Sequence, residues 1–187
     1  MRPSRTSKDK SLLRNKLRKV ISGIPASSRR RKSRIITARI LRSKLFREAK
    51  CVLIYYSMAS EVGTRTLIRS AIKCGKKVYV PYIIGTKKLS YHLVSCSTQF
   101  KKNHWGVYEP VPGKFRNGSR ARLDLILVPG LGFDRKKNRL GRGMGYFDRF
   151  LKGKKESVFI GLAYREQIVK KIPVRVHDVP MHDVFSA

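Results

Sequence analysis

Five short apolar runs, at 51–56, 77–81, 89–94, 123–128 and 157–162, alternate along this chain with longer stretches of helical periodicity. Runs of that length between turn signals are too short for helices and read as buried strands. Strands that alternate with helices imply an α/β fold with a substantially parallel sheet. Leu12, Leu13, Leu17, Val20 and Ile21 recur at helical spacing over 11–21 and predict an amphipathic helix. A second helix is predicted over 27–46, with Ile35, Ile36, Ile40, Leu41 and Leu45 as its apolar stripe. Thr64 reads as the cap of a helix carrying Leu67, Ile68, Ala71 and Ile72, and a short helix is expected at 146–151. The tail from Pro173 onward reads as mostly irregular. Ligands of such sheets collect beyond the carboxyl ends of the strands, which puts 57–63 and 129–148 on the working edge.

With 187 residues, 41% of them apolar, the chain can bury one principal core. A single domain over 1–187 is expected, with basic N-terminal helices at about 8–46. Its charge is unusual. Forty-four Lys and Arg stand against eleven Asp and Glu, a formal net charge of +33. Such a surface attracts RNA, DNA, anionic lipid or small polyanions, and charge alone does not choose among them. No run approaches the roughly 20 apolar residues of a membrane helix. The first fifty residues lack the apolar centre of a secretory signal. A cytoplasmic location is expected, with the mitochondrial matrix as the alternative. Cys51, Cys74 and Cys96 are widely spaced, form no CxxC, and read as buried free thiols.

The stretch Pro129-Gly-Leu-Gly-Phe-Asp134, followed by Asn138-Arg-Leu-Gly141-Arg-Gly143-Met-Gly145-Tyr-Phe-Asp148-Arg149, is chemically the most informative. Gly141, Gly143 and Gly145 alternate and admit close backbone approach. Arg142 and Arg149 stand beside the predicted helix start, so backbone N–H groups and guanidinium groups together suit an anion. Asp148 offers a hard oxygen of the kind magnesium takes beside phosphates. Neither GxxxxGK[ST] nor GxGxxG is present. Read alone, the segment fits a structural turn as well as an anion-binding loop.

Read in full, the segment resembles the nucleotide-binding signature of the 5-formyltetrahydrofolate cyclo-ligase (5,10-methenyltetrahydrofolate synthetase) family. The resemblance continues through Lys10-Ser-Leu-Leu-Arg14, Ser60-Glu61-Val62, 106–110, 124–148 and Val176-His-Asp178-Val-Pro, and so covers almost the whole chain. It implies a three-layer αβα fold around a largely parallel central sheet, with ATP and Mg2+ as cofactors. By the same resemblance, Lys10, Arg14, Arg142, Gly143, Gly145, Tyr146 and Arg149 bind ATP, and Arg142 and Tyr146 are the catalytic pair. Glu61 accepts hydrogen bonds from the reduced pterin, Met58, Trp105 and Tyr146 are further substrate contacts, and Tyr108 lies near them. Asp148 and Asp178 are the metal ligands. Without the resemblance, Lys10 and Arg14 are an exposed basic helix face, Glu61 a loop acid, Tyr146 a core tyrosine, and Asp178 unremarkable.

The resemblance implies a reaction in which ATP phosphorylates the formyl oxygen of 5-formyltetrahydrofolate. N10 then attacks the formyl carbon, and loss of phosphate leaves 5,10-methenyltetrahydrofolate. A polyglutamate tail on the substrate would favour a basic pocket rim. Two positions depart from the family's pattern. Met144 stands where relatives commonly carry glycine or lysine, which weakens a phosphate contact. Gly63 stands where an acidic or polar residue is common, which is expected to loosen the loop after Glu61.

A folate and ATP do not require a charge of +33. Six of the eleven acids, Glu61, Glu109, Asp124, Asp134, Asp148 and Asp178, fall at stations of the resemblance, so the background acids are the scarce ones. An RNA-associated or ribosome-associated structural protein on the same fold is therefore the alternative. The basic runs at 29–32, 101–102, 135–137 and 152–155 are its candidate phosphate-backbone contacts, although no RNA-reading signature is present.

Overall fold

The five apolar runs fold as five of the six strands of one sheet. The computed structural model describes residues 5–85, 88–103, 106–111 and 121–187, and of Arg5 the backbone alone. Trp105 and most of the basic stretch at 116–122 lie outside the described residues. In chain order the elements are α1 (Arg5–Ser22), α2 (Ala26–Arg42), α3 (Lys44–Glu48), β1 (Cys51–Ile54), α4 (Arg65–Lys73), β2 (Lys77–Ile84), β3 (Lys88–Val94), β4 (Phe100–Lys102) and β5 (Tyr108–Pro110). There follow β6 (Leu125–Pro129), β7 (Gly132–Asp134), β8 (Arg139–Leu140), α5 (Tyr146–Lys152), β9 (Val158–Ala163), a 3-10 turn at Arg165–Gln167, β10 (Ile168–Val169) and β11 (Asp183–Ser186).

The main sheet has the order β11-β9-β6-β1-β2-β3. All its pairings are parallel except that of β3 with β2. Successive side chains of a strand face opposite sides, and the packing follows that rule. Val52, Ile54, Leu125 and Leu127 face a core shared with α2, α3 and α4. Leu53, Ile126 and Val128 face the opposite core, closed by Phe147 and Leu151 of α5. Helices therefore cover both faces, as in a three-layer αβα fold. The chain builds outward from β1 in two directions, so a crevice opens beyond the carboxyl ends of β1 and β6.

Several expectations are corrected. The helix predicted over 27–46 breaks at Ser43, which adopts an extended conformation and accepts the Phe46 N–H on its hydroxyl, capping a separate α3. The inward stripe of α2 is Ser33, Ile36 and Ile40, while Ile35 and Leu45 face solvent. Leu12 is likewise exposed; Leu17 and Ile21 anchor α1. Thr64 precedes α4, but its hydroxyl donates to the Tyr55 carbonyl and accepts from Ser57 N–H, tying down the loop rather than capping the helix. The tail is mostly irregular, as expected, and only its last residues return to the sheet as β11, parallel to β9. The cysteines are free, yet Cys74 and Cys96 are exposed and Cys51 is half-buried.

Candidate active site

Lys10, Arg14, Leu17 and Ile21 share one face of α1, following its repeat of about 3.6 residues. Leu17 packs on Leu140 and Ile172, and this anchor turns the two cations toward the crevice. Lys10, only 5% exposed, forms an ion pair with Asp178. The same carboxylate oxygen accepts the Arg175 N–H at 2.6 Å. Burial alone would raise the Asp178 carboxyl, but the Lys10 ammonium and the Arg175 N–H hold it below its ordinary pKa. Arg14 donates through Nε to the Gly141 carbonyl at 2.9 Å. Burial, then the like charges of Arg18 and Arg175, lower its pKa against the opposing pull of Asp178. Lys10, Arg14 and Arg175 thus share the single carboxylate of Asp178, an excess of positive charge that a phosphate would answer.

The glycine-rich loop is shaped by arginines. Gly143 has φ +120° and Gly145 φ +66°, backbone conformations that side chains disfavour. A Cβ on Gly143 would meet the Arg14 guanidinium at 3.7 Å, and one on Gly145 would meet Arg149 Nη1 at 2.8 Å. Behind the loop, buried Arg139 donates to Asp148 Oδ1 at 2.9 Å, and the Val179 N–H approaches the same oxygen at 3.4 Å.

The loop after β1 supplies the third wall. Glu61 accepts the Met58 N–H on Oε2 at 2.9 Å and Arg142 Nη2 on Oε1 at 3.2 Å. Arg142 also reaches the Ser60 hydroxyl at 3.1 Å, linking this loop to the glycine loop. From below, the buried Tyr164 hydroxyl donates to the Glu61 carbonyl at 2.7 Å. Burial raises that hydroxyl's pKa, so it stays a neutral donor. Gly63 does not loosen the loop: its N–H donates to Ser33 Oγ at 2.9 Å, and the hydroxyl would stand only 3.4 Å from a Cβ there.

These walls enclose a cavity of about 410 Å³. Its lining unites Lys10, Arg14, Met58, Glu61, Arg142, Gly143, Gly145, Tyr146, Asp148 and Asp178. Arg149 is outside that lining; its guanidinium donates to the Met144 carbonyl at 2.9 Å and lies over the Tyr146 ring. Met144 stands exposed at the mouth. Tyr56, Tyr82 and Tyr108 give the cavity an aromatic side, where Tyr56 stacks on Phe100 at 4.1 Å and Arg65 lies over both Tyr56 and Tyr108. Arg139, Arg175 and His177 also line it and were not singled out from sequence. Arg139 and His177 lie within the motifs and Arg175 just before one, but as single members of a very cationic chain they carry no signal of their own.

Asp148 and Asp178 suit magnesium as a donor set. Both are hard-oxygen groups in the lining, and the bonds above fall on one oxygen of each. Among the described residues no cluster of three or more His, Cys, Asp or Glu converges. Two carboxylates completed by phosphate oxygens and water match the way magnesium is held with nucleotides.

A sequence profile of the 5-formyltetrahydrofolate cyclo-ligase family matches residues 6–187. The chain is 33% identical to the 5-formyltetrahydrofolate cyclo-ligase of Mus musculus, over 92% of this chain and 91% of the mouse protein. It is 32% identical to the protein of the same name from Haemophilus influenzae, over 92% and 95% respectively. The solved structure of Aquifex aeolicus 5,10-methenyltetrahydrofolate synthetase superposes with a TM-score of 0.79 at 31% identity, covering 95% of this chain and 89% of that one.

Proposed function

The chain belongs to the 5-formyltetrahydrofolate cyclo-ligase family, and we propose that it cyclises 5-formyltetrahydrofolate to 5,10-methenyltetrahydrofolate with conversion of ATP to ADP and phosphate. The observation that carries this reading is one cavity lined both by Lys10 and Arg14, suited to phosphates, and by Glu61 beside an aromatic wall, suited to a pterin. A structural RNA- or ribosome-associated role in place of catalysis draws no support from these relatives.

In the proposed reaction the formyl oxygen attacks the γ-phosphorus, an O–P bond forms, and the bond to ADP breaks. N10 then attacks the formyl carbon, phosphate leaves with the former formyl oxygen, and N10 loses its proton. Lys10 and Arg14 hold the phosphates, and the open backbone at Gly143 and Gly145 lets them approach. Glu61 accepts hydrogen bonds from the pterin 2-amino group and ring N–H. Arg142 donates to Glu61 Oε1, so a pterin bound there competes for that oxygen and directs the guanidinium to the transferring phosphoryl group. Tyr146 packs against the substrate, with its hydroxyl toward the reacting group, while Met58 gives apolar contact. Magnesium held by Asp148 and Asp178 would neutralise phosphate charge. The protein's contribution is positioning and charge stabilisation, with no covalent protein intermediate.

Substrate labelled with 18O in the formyl group tests the mechanism. Phosphate carrying the label is expected; methenyl product with unlabelled phosphate would overturn formyl phosphorylation.

A further inference from the structure

Three cations of the cavity are paired with acids: Lys10 with Asp178, Arg139 with Asp148, Arg142 with Glu61. The helical layer formed by α2, α3 and α4 is different. α2 turns Arg30, Arg31, Arg34, Arg39 and Arg42 to solvent, and α3 and α4 add five more exposed Lys and Arg, among them Arg69 and Lys73. The only exposed acid on these three helices is Glu48, which Lys44 approaches at 3.7 Å. Among the described residues, Arg30, Arg31, Arg34, Arg42 and Arg69 form no ion pair.

This arrangement opposes the stability of its own helices. Arg30 and Arg31 stand four and three residues before Arg34, and like charges at those spacings repel. The first turns of α2 carry no acid to answer the helix dipole. A polyanion laid across the layer would relieve both penalties. The three helices share one core on one face of the sheet, so their outward cations form a rigid array about 25 Å long at 1.5 Å per residue of α2. The large apolar residues exposed on it are Ile35 and Leu45, at 41% and 39%. They are too little exposed to be the Trp, Phe and Leu face that inserts into lipid. Closely spaced guanidinium groups suit repeated phosphodiesters instead.

We propose that the outer face of the α2–α3–α4 layer binds the phosphate backbone of nucleic acid without reading its sequence, in addition to the chemistry of the cavity.

The test is fluorescence anisotropy of the full chain with a 20-nucleotide single-stranded RNA, the matching DNA, and vesicles of mixed neutral and anionic phospholipid. The charge reversal R30E/R31E/R34E is compared with R135E/K152E/K155E, which changes net charge equally away from this layer. The layer variant should weaken binding at least tenfold and reduce the log–log salt slope by about 2, the value for three lost single-strand contacts. The control variant should weaken it less than threefold, and both should keep wild-type turnover of 5-formyltetrahydrofolate. The RNA and DNA arms establish which backbone is preferred. Equal weakening by the two variants would show a diffuse charge effect and overturn the proposal. So would no nucleic-acid binding at about 0.1 M salt, where the Debye length is near 10 Å, or binding to vesicles alone.

Discussion

Replacing Lys10 by methionine keeps the length of the α1 side chain and removes its charge from a place where that charge has one carboxylate partner. The side chains of Lys10 and Asp178 are 7% and 17% exposed, so water does little to replace the lost ammonium. Breaking one half of a buried pair costs about 3–5 kcal/mol. Asp178 keeps the Arg175 N–H, which puts the expected loss near the lower figure, about 3 kcal/mol. In the double variant K10M/D178N no charge is stranded, and the loss should shrink to about 1 kcal/mol, the value of a hydrogen bond. Urea denaturation reads both: at m near 2 kcal/mol/M the K10M midpoint should fall by about 1–2 M with m unchanged. The pH dependence has a defined sign. Because the folded-state Asp178 carboxyl is held low, its stabilisation is present above about pH 4 and is lost as pH falls through its folded value. The gap between wild type and D178N should therefore narrow in acid. Equal losses in K10M and the double variant, or a K10M loss below about 0.5 kcal/mol, would refute the paired-charge account.

Tyr164→Phe removes the donor that holds the Glu61 carbonyl. It should cost about 1–2 kcal/mol and raise KM for 5-formyltetrahydrofolate several-fold while KM for ATP stays constant, as steady-state kinetics will report. Gly143→Ala places a side chain at φ +120° beside Arg14. It should lose about 1–3 kcal/mol of stability and weaken ATP binding at least tenfold by titration calorimetry.

The inner strands β1, β6 and β9 were legible in the sequence because they are buried on both faces and read as apolar runs, whereas edge strand β3 mixes Ser90 and His92 into its run. Elements fixed by side-chain hydrogen bonds were not legible. Ser43 ends α2 because its hydroxyl offers Phe46 N–H an alternative to helix, and Thr64 sits before α4 while serving the loop. Strand β11 comes from a tail with no strand pattern of its own, and its pairing is decided by β9. At the site, helical spacing puts Lys10 and Arg14 on one face, but resemblance supplied their role and those of Glu61 and Asp178. Arg139 escaped notice because a buried arginine is recognised by its partner, Asp148, and the sequence does not display that contact. Gly63 misled for the same reason, since Ser33 on α2 holds the loop that its lack of a side chain seemed to free.

The central claim is ATP-driven ring closure in the cavity, and appearance of the methenyl chromophore from 5-formyltetrahydrofolate with Mg-ATP measures it directly. The account predicts turnover that stops without ATP, stops when a chelator removes magnesium, and falls at least a hundredfold in Asp148→Asn with the fold retained by circular dichroism. Folded wild-type protein that makes no methenyl product, with mono- and polyglutamyl substrates and across salt concentrations, would contradict it.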